Sequence, residues 1–324
     1  MSEPMRVLVT GGAGFIGSHV VDSLMSRSEV TVTVLDKLTY AGSEDNLAKH
    51  AGDPRFRFVL GDIADPETVE PLVRDADRVV NLAAESFVDK SIADPGDFVR
   101  TNVVGVYTML EACRLLRKQM LQVSTDEVYG STRGGAFSET DAIKPNSPYS
   151  ATKAAGDLAC RAYSVTYGLP VTVVRGNNAY GPRQHPEKAI PTFTLAAMDG
   201  RQLPVYGNGA HRREWLHVTD FARAILRVLD AGEIGGVYNI GGGHEISTIQ
   251  LARMICKLCD APEEQIELVR DRPGHDLRYS LKWKPLADLG WRPSIPFTDG
   301  MSETVDWYKG HRGWAKELLE KAAK

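Results

Sequence analysis

The feature that most constrains the fold is an alternation of short β-branched runs with helix-length segments in the first half of the chain. Runs at residues 7–10, 30–35, 57–60, 78–82, 121–124 and 171–174 predict strands. Helix-length segments lie between them, notably residues 17–26, 98–117 and 148–167. This alternation indicates an α/β fold with a doubly wound parallel sheet, in which ligands bind beyond the carboxyl ends of the strands.

The strand–helix rhythm weakens after about residue 176, where proline and glycine become frequent and arginines cluster. We therefore predict a first domain over residues 1–176 and a second, smaller mixed α/β domain over residues 177–324 that binds the substrate. The first domain is also expected to receive a later strand and helix near residues 215–240. A chain of 324 residues is long enough for two modest domains, each with its own core.

Composition excludes several classes of protein. Hydrophobic residues make up 43% and charged residues 25%, which excludes a disordered or collagen-like chain. The formal net charge of −4 argues against a nucleic-acid partner, and the lack of a run of 18 apolar residues argues against a membrane partner.

Cys256 and Cys259 form a lone CxxC in a helical segment, so packed thiols are expected there rather than a metal site. The start of the sequence has no signal-peptide pattern, and the cysteines are expected to be free, packed thiols, as in a reducing compartment. Together these features predict a cytoplasmic location.

A glycine-rich turn follows the first predicted strand and opens the first helix. Gly11, Gly14 and Gly17 give the spacing GxxGxxG, with Phe15 and Ile16 between the last two. Glycines let the backbone approach a ligand closely, and the helix N-terminus offers free N–H groups to a pyrophosphate. This turn predicts a dinucleotide cofactor in a Rossmann-type domain.

Carboxylates after the second and third predicted strands refine the choice of cofactor. Asp36 ends the second strand, where it would accept hydrogen bonds from adenosine ribose hydroxyls and repel a 2′-phosphate. NAD is therefore predicted rather than NADP. Asp62 and Ile63 follow the third strand, where they could contact adenine or simply end the strand, and the sequence leaves both interpretations open.

Tyr149 and Lys153 form a YxxxK motif that would place both side chains on one face of a helix. A nearby ammonium favours the phenolate, which can accept a proton from a sugar hydroxyl. The pair alone is common on protein surfaces, but here it follows Ser124 and Thr125 and a glycine-rich cofactor turn. In this combination, and over nearly its whole length, the chain resembles the extended short-chain dehydrogenase/reductase superfamily.

The segment TDEVYG at residues 125–130 resembles the signature of nucleotide-sugar 4,6-dehydratases, above all those acting on dTDP-glucose. The resemblance implies that Glu127 removes a C5 proton, Asp126 protonates the departing C6 hydroxyl, and Thr125 hydrogen-bonds the C4 hydroxyl beside Tyr149. Water loss across C5–C6 needs both a base and an acid, and adjacent carboxyl groups serve if their surroundings separate their acidities. Outside such a family, the same pair would be interpreted as the end of a strand.

The implied reaction is a closed redox cycle that amounts overall to a lyase reaction. A hydride leaves C4, water is eliminated, and the hydride returns to C6, so that NAD is regenerated. UDP-glucose 4,6-dehydratases share some of these segments, and C4 epimerases and decarboxylases are more distant alternatives that Asp126 disfavours. A catalytically silent NAD-binding scaffold is disfavoured by the intact Tyr149, Lys153, Asp126 and Glu127.

Other site residues are assigned by the resemblance alone. The implied cofactor contacts are Leu82, Ala83, Ala84, Asn102 and Ser124, together with Tyr149 and Lys153. The implied substrate contacts are Glu85, Ser86, Asn178, Lys188, Arg213, Arg272 and His275, and arginine suits a diphosphate because it can donate two parallel hydrogen bonds. The chain departs from the family pattern at Phe87, usually histidine, and at Ala179, usually asparagine. The resemblance also implies a homodimer in which residues 98–117 and 148–167 form a four-helix interface.

Overall fold

The computed structural model describes residues 4–322 and contains strands and helices in alternation through the first half. The strands are β1 (Met5–Thr10), β2 (Val30–Asp36), β3 (Phe56–Leu60), β4 (Arg78–Asn81), β5 (Gln119–Thr125), β6 (Val171–Gly176), β7 (Asn178–Tyr180), β8 (Leu203–Tyr206), β9 (Arg212–His217), β10 (Val237–Ile240), β11 (His244–Ser247) and β12 (Ile266–Val269). The helices are α1 (Phe15–Met25), α2 (Pro66–Asp75), α3 (Val88–Ala93), α4 (Gly96–Val99), α5 (Val106–Leu116), α6 (Pro148–Tyr167), α7 (Ala189–Met198), α8 (Val218–Ala231), α9 (Thr248–Leu258), α10 (Lys284–Asp288), α11 (Phe297–Gly310) and α12 (Arg312–Ala322). No helix among the described residues is both long and apolar enough to cross a membrane.

A seven-stranded parallel sheet in the order β10-β6-β5-β4-β1-β2-β3 forms the centre of the molecule. The strands are rich in valine, and two buried apolar clusters cover the two faces of the sheet. The predicted Rossmann-type doubly wound fold is confirmed. The strand order reverses between β1 and β4, and ligands of such sheets bind in the crevice at this reversal.

Local sequence explains the ends of α6, the longest helix. Ser147 and Ser150 form a reciprocal capping box at its start, where Pro148 occupies the first turn. Gly168 ends the helix in the left-handed conformation, with φ 64°. The helix therefore occupies the span that the sequence predicts, residues 148–167.

The segment at residues 98–117, predicted as one helix, is divided into three. The short α4 leads into a wide π-helical turn at Arg100–Gly105, which leads into α5. Gly105 lies in that turn, and a Cβ there would come within 2.6 Å of the Ile63 side chain. The wide turn therefore runs close to the end of β3, a contact that helical periodicity alone does not reveal.

After β6 the chain builds smaller sheets and then returns to the large one. The smaller sheets are β11-β9-β7 and β12-β8, packed on a separate core with α7 and α9. In the chain segment between β9 and β11, α8 contributes Phe221 and Ile225 to the main core, and β10 pairs in parallel with β6. These two elements lie in the region expected to rejoin the first domain, whereas the boundary at residue 176 stays a prediction.

Candidate active site

A cleft with a cavity volume of about 310 Å³ lies beyond the carboxyl ends of the parallel strands. The predicted cofactor positions that line it are Gly11, Gly14, Phe15, Ile16, Gly17, Asp36, Asp62, Ile63, Leu82, Ala83, Ala84, Ser124, Tyr149 and Lys153. The predicted catalytic residues Thr125, Asp126 and Glu127 line the same cleft. Segments that are far apart in the sequence therefore share one cavity because parallel strands end at one edge of the sheet.

The glycine-rich turn is packed too closely to accept side chains. Gly11 has φ 69°, and a Cβ there would lie 2.6 Å from the Ala83 nitrogen. A Cβ on Gly17 would lie 2.1 Å from the Gly11 carbonyl oxygen. The start of α1 consequently presents bare backbone to the cleft, as a pyrophosphate-binding turn requires.

Asp36 lies at the end of β2 and shapes the loop that follows. Its Oδ1 accepts a hydrogen bond from the Leu38 N–H at 2.8 Å, and its Oδ2 accepts one from the Ala13 N–H at 3.0 Å. Burial raises the pKa of this carboxyl above its ordinary value, although the two backbone donors oppose the shift. The carboxylate joins the glycine turn to the next loop and keeps lone pairs that can accept further hydrogen bonds.

Asp62 is engaged in a cluster of charges at the far end of the cleft. Lys37 Nζ lies 3.0 Å from its Oδ2, and the Arg100 guanidinium lies 3.1 Å from the same atom. Its Oδ1 accepts the Ala64 N–H at 2.9 Å. The side chain thus ends the strand and also borders the cleft, so the two interpretations left open by the sequence are compatible.

Tyr149 and Lys153 lie on one face of α6, and Asp157 continues that face one turn later. Lys153 Nζ donates to the Val123 carbonyl oxygen at 2.7 Å. Burial lowers the pKa of Lys153 to about 8, while the negative charge of Asp157 opposes that shift. Asp157 in turn accepts a hydrogen bond from Arg175 Nε at 2.8 Å in a buried ion pair. A fixed pair of charges therefore lies behind Lys153.

Asp126 and Glu127 occupy the first turn after β5. Thr125 Oγ1 accepts the Glu127 N–H at 3.2 Å and so fixes this turn. Burial, and then the adjacent Glu127 charge, raise the pKa of Asp126 well above its usual value. Burial also raises the pKa of Glu127, but the positive charges of Arg213 and Arg272 oppose it. The surroundings therefore raise the pKa of Asp126 more strongly than that of Glu127, so Asp126 holds its proton more firmly.

A second cleft, with a cavity volume of about 260 Å³, continues from the first toward β9 and α9. Ser86, Glu127, Asn178 and Lys188 line both clefts, so the two form one continuous site. The remaining predicted substrate residues in the second cleft are Arg213, Arg272 and His275, and Glu85 lines the first. The cationic side chains of Lys188, Arg213 and Arg272 thus line this second cleft.

Backbone carbonyls and carboxylates hold these cations in place. Lys188 Nζ donates to the Ser86 carbonyl oxygen at 2.9 Å, and Arg213 Nη2 donates to the Asp276 carbonyl oxygen at 2.9 Å. Arg272 Nη1 lies 3.4 Å from Asp89 Oδ2. The cations are therefore oriented before any ligand binds.

The resemblance implies that Asn102 contacts the cofactor, but Asn102 does not line the cleft. Its Oδ1 accepts the Glu85 N–H, and its Nδ2 donates to the Glu85 carbonyl oxygen, both at 3.0 Å. The same Nδ2 donates to Thr152 Oγ1 at 3.0 Å. Asn102 consequently ties the loop carrying Glu85 to α6, and this contact supports the site without entering it.

Several lining residues were not found by sequence reasoning. Asn177, Gln184, His185 and Glu187 line the first cleft, and the aromatic rings of Tyr206 and Trp215 line the second. Asn177 follows β6 directly, so its place at a strand end could have indicated it. Tyr206 and Trp215 belong to the irregular second half, where no sequence pattern indicates which side chains face a cavity.

The chain is similar to known proteins over nearly its whole length. Residues 8–304 match the protein family described as GDP-mannose 4,6 dehydratase. A dTDP-glucose 4,6-dehydratase of Streptomyces niveus is 50% identical, covering 97% of this chain and 96% of that protein. DesIV, a dTDP-glucose 4,6-dehydratase from Streptomyces venezuelae solved with NAD and TYD bound, is 47% identical with a TM-score of 0.95, covering 97% of this chain and 100% of that one. A UDP-glucose 4-epimerase of Thermus thermophilus in complex with NAD is 33% identical with a TM-score of 0.87, covering 94% of this chain and 99% of that one.

Proposed function

The chain belongs to this family of nucleotide-sugar 4,6-dehydratases within the extended short-chain dehydrogenase/reductase superfamily, and on that premise we propose that it converts dTDP-glucose to dTDP-4-keto-6-deoxyglucose. It is a NAD-dependent hydro-lyase. The observation that carries the proposal is the pair Asp126 and Glu127, placed beside Tyr149 in a cleft that continues into a cationic cleft.

The residues of the first cleft fit NAD. The turn at Gly11 and Gly17 leaves room only for backbone beside a pyrophosphate, and Asp36 keeps lone pairs for ribose hydroxyls. Bound NAD supplies a reversible hydride acceptor. Tyr149 would take the proton of the C4 hydroxyl, and the ammonium of Lys153 would stabilise the phenolate that performs this step.

Two carboxyl groups of unequal acidity suit the elimination. A C4 ketone acidifies the C5 proton, which the ionised Glu127 would remove. Asp126, kept protonated by burial and by its neighbour's charge, would deliver a proton to the departing C6 hydroxyl. The positive charges of Arg213 and Arg272 lower the pKa of Glu127 and so favour its ionised form. The same two arginines would therefore bind the diphosphate and support the catalytic base.

The proposal is tested by incubating the purified protein separately with dTDP-glucose and UDP-glucose. We expect a 4-keto sugar, detected by its absorbance in alkali, and a mass decrease of one water molecule, with dTDP-glucose preferred. Preference for UDP-glucose would assign the other nucleotide. A C4 epimer, or no reaction with either sugar, would overturn the dehydratase proposal.

We also propose that the protein is a homodimer formed through α5 and α6. Large apolar side chains project from both helices into solvent, including Leu115 (64% exposed) and Val165 (73% exposed). Tyr107 and Leu158 are likewise exposed on these helices. An apolar face of this extent favours burial against a second copy, which would build a four-helix interface.

A cytoplasmic location is proposed on the state of the cysteines. Cys113, Cys160, Cys256 and Cys259 are all free thiols, as expected in a reducing compartment. Cys256 and Cys259 lie on and just beyond α9, in agreement with packed thiols.

A further inference from the structure

The loop at residues 37–43, here called the ribose loop, forms one wall of the cofactor cleft. Lys37, Thr39 and Gly42 line the cleft directly. The Leu38 backbone is left-handed with φ 52°, a conformation that most residues avoid, and the Leu38 N–H donates to Asp36 at 2.8 Å. The loop is therefore folded tightly around the carboxylate proposed to bind the ribose.

The last described helix, α12, is anchored on the second half of the molecule. Its Ala315 is buried in a small cluster with Leu195 of α7 and Tyr308 of α11. Trp314 packs edge-on against Trp307, with ring centroids 4.8 Å apart. The helix thus rests on the substrate half, several residues away from its contact with the cofactor half.

Lys321, in the last turn of α12, reaches across to the ribose loop. Its Nζ donates to the Leu38 carbonyl oxygen at 3.0 Å and to the Gly42 carbonyl oxygen at 2.9 Å. These two carbonyls lie at opposite ends of the loop, so one ammonium group joins them. Its positive charge also acts on Asp36, whose pKa it lowers against the effect of burial.

We propose that Lys321 is a positioning residue that holds the ribose loop closed over bound NAD and slows the release of the cofactor. The proposal rests on the proposed function only in requiring that the first cleft binds NAD. Release of the adenosine end would require the loop to move away from Asp36. A lysine that pins both ends of the loop to a helix fixed elsewhere adds to the barrier against that movement.

The contact of Lys321 with the ribose loop has a role in the proposed reaction. The hydride that leaves C4 must return to C6 of the same sugar, so the reduced cofactor must remain bound until the cycle is complete. A contact outside the reacting centre would prevent loss of the cofactor before the cycle is complete. It would do so without touching the sugar.

The test is the rate at which the holoenzyme loses its cofactor. For Lys321→Met we expect NADH, followed by its fluorescence, to dissociate about fivefold faster, as loss of a charged donor to two carbonyls suggests. The variant should also retain less NAD after gel filtration. Lys321→Arg, which keeps the charge and the donors, should retain the cofactor nearly as the unchanged protein does.

Lys316 supplies a matched control on the same helix. Its Nζ lies 3.8 Å from Glu320 in an exposed ion pair one turn along α12. Lys316→Met should leave cofactor release unchanged. Equal release rates for Lys321→Met and the unchanged protein, or equal acceleration by both methionine variants, would overturn the proposal. Because cofactor release is measured without any sugar, these outcomes stand apart from failure to dehydrate dTDP-glucose.

Discussion

At the scale of single residues, the two neighbouring carboxyl groups differ mainly in the charges around them. Asp126 is buried and faces the negative charge of Glu127, which keeps its proton bound. Glu127 is half-buried, and Arg213 and Arg272 offset part of the cost of its ionisation. Adjacent positions at one strand end are thereby suited to opposite tasks in proton transfer.

Replacing Glu127 should separate the two halves of the reaction. In Glu127→Gln we expect water loss to fall by at least about a hundredfold, because the base for the C5 proton is gone. Oxidation at C4 should persist, visible as NADH absorbance when dTDP-glucose is added. Tyr149→Phe, in contrast, should suppress both partial reactions. Simultaneous loss of both in Glu127→Gln would contradict separate roles.

The acidity of Lys153 sets an expected pH dependence. Lysine is charged below its pKa, which burial lowers to about 8 here, so the positive charge one turn from Tyr149 is lost as pH rises through that value. We expect kcat/KM to fall above about pH 8. The groups facing Lys153 are Asp157 and Cys160 on its own helix, with Arg175 of β6 paired to Asp157.

Asp157→Asn should move this decline to lower pH. Removal of the negative charge lowers the pKa of Lys153 further, by about one unit for a close charge, and the remaining Arg175 acts in the same direction. Asp157→Glu keeps the charge and should keep the profile. The profiles are measured as kcat/KM against pH with folding monitored by circular dichroism. An unchanged alkaline limb in folded Asp157→Asn would contradict this account.

Residues in local motifs could be predicted, and residues that act through distant contacts could not. Short motifs with a spacing typical of a known chemistry contain Asp126, Glu127, Tyr149 and Lys153. Arg175 reaches Asp157 from 18 positions away, and Lys321 reaches Leu38 from 283 positions away. No pattern within a single segment contains such pairings, because only the folded chain brings the partners together.

At the scale of elements, the glycine-rich turn combines close packing with a helix start. Gly17 faces the Gly11 carbonyl oxygen at a distance that excludes any side chain. Gly313 is also helical, and among the described residues no atom beyond its chain neighbours and its own helix backbone lies within 4 Å of where a Cβ would be. The same substitution at these two glycines should therefore have different consequences.

Gly17→Ala should destabilise the protein by about 1–3 kcal/mol, because the added methyl must displace backbone. It should also impair NAD binding. Gly313→Ala should leave stability unchanged or raise it by less than about 1 kcal/mol, since alanine favours helices. Thermal unfolding and NAD titration measure both effects. Equal behaviour of the two variants would contradict the crowding described for the turn.

The predicted strands of the first half correspond to β1–β6 within a residue or two at most ends. Their β-branched runs are unambiguous, and polar or glycine residues end them. The helix predicted over residues 98–117 is present without a break in its helical backbone, but it contains a π-helical turn, which periodicity does not distinguish from regular helix. The seventh strand, β10, is only four residues long, and its place beside β6 depends on a tertiary contact.

At the scale of the whole molecule, the exposed face of α5 and α6 predicts an assembly. Introducing acids there should prevent association, because a charge cannot be buried without a partner. We expect the double variant Leu158→Asp with Val165→Asp to be monomeric. Leu268→Asp, an equally apolar side chain 59% exposed on β12, should remain dimeric. Light scattering at micromolar concentration distinguishes these outcomes, and a monomeric unchanged protein would contradict the dimer.

The late return of β10 to the large sheet has a consequence for how the chain is synthesised. When β6 (Val171–Gly176) has left the ribosome, its outer edge still lacks the strand that pairs with it, because Val237–Ile240 has yet to be translated. Unpaired edges of β-sheets promote association with other chains. The nascent sheet therefore stays open to aggregation until the chain has been made as far as β10, so residues 177–240 must be synthesised before the sheet is complete.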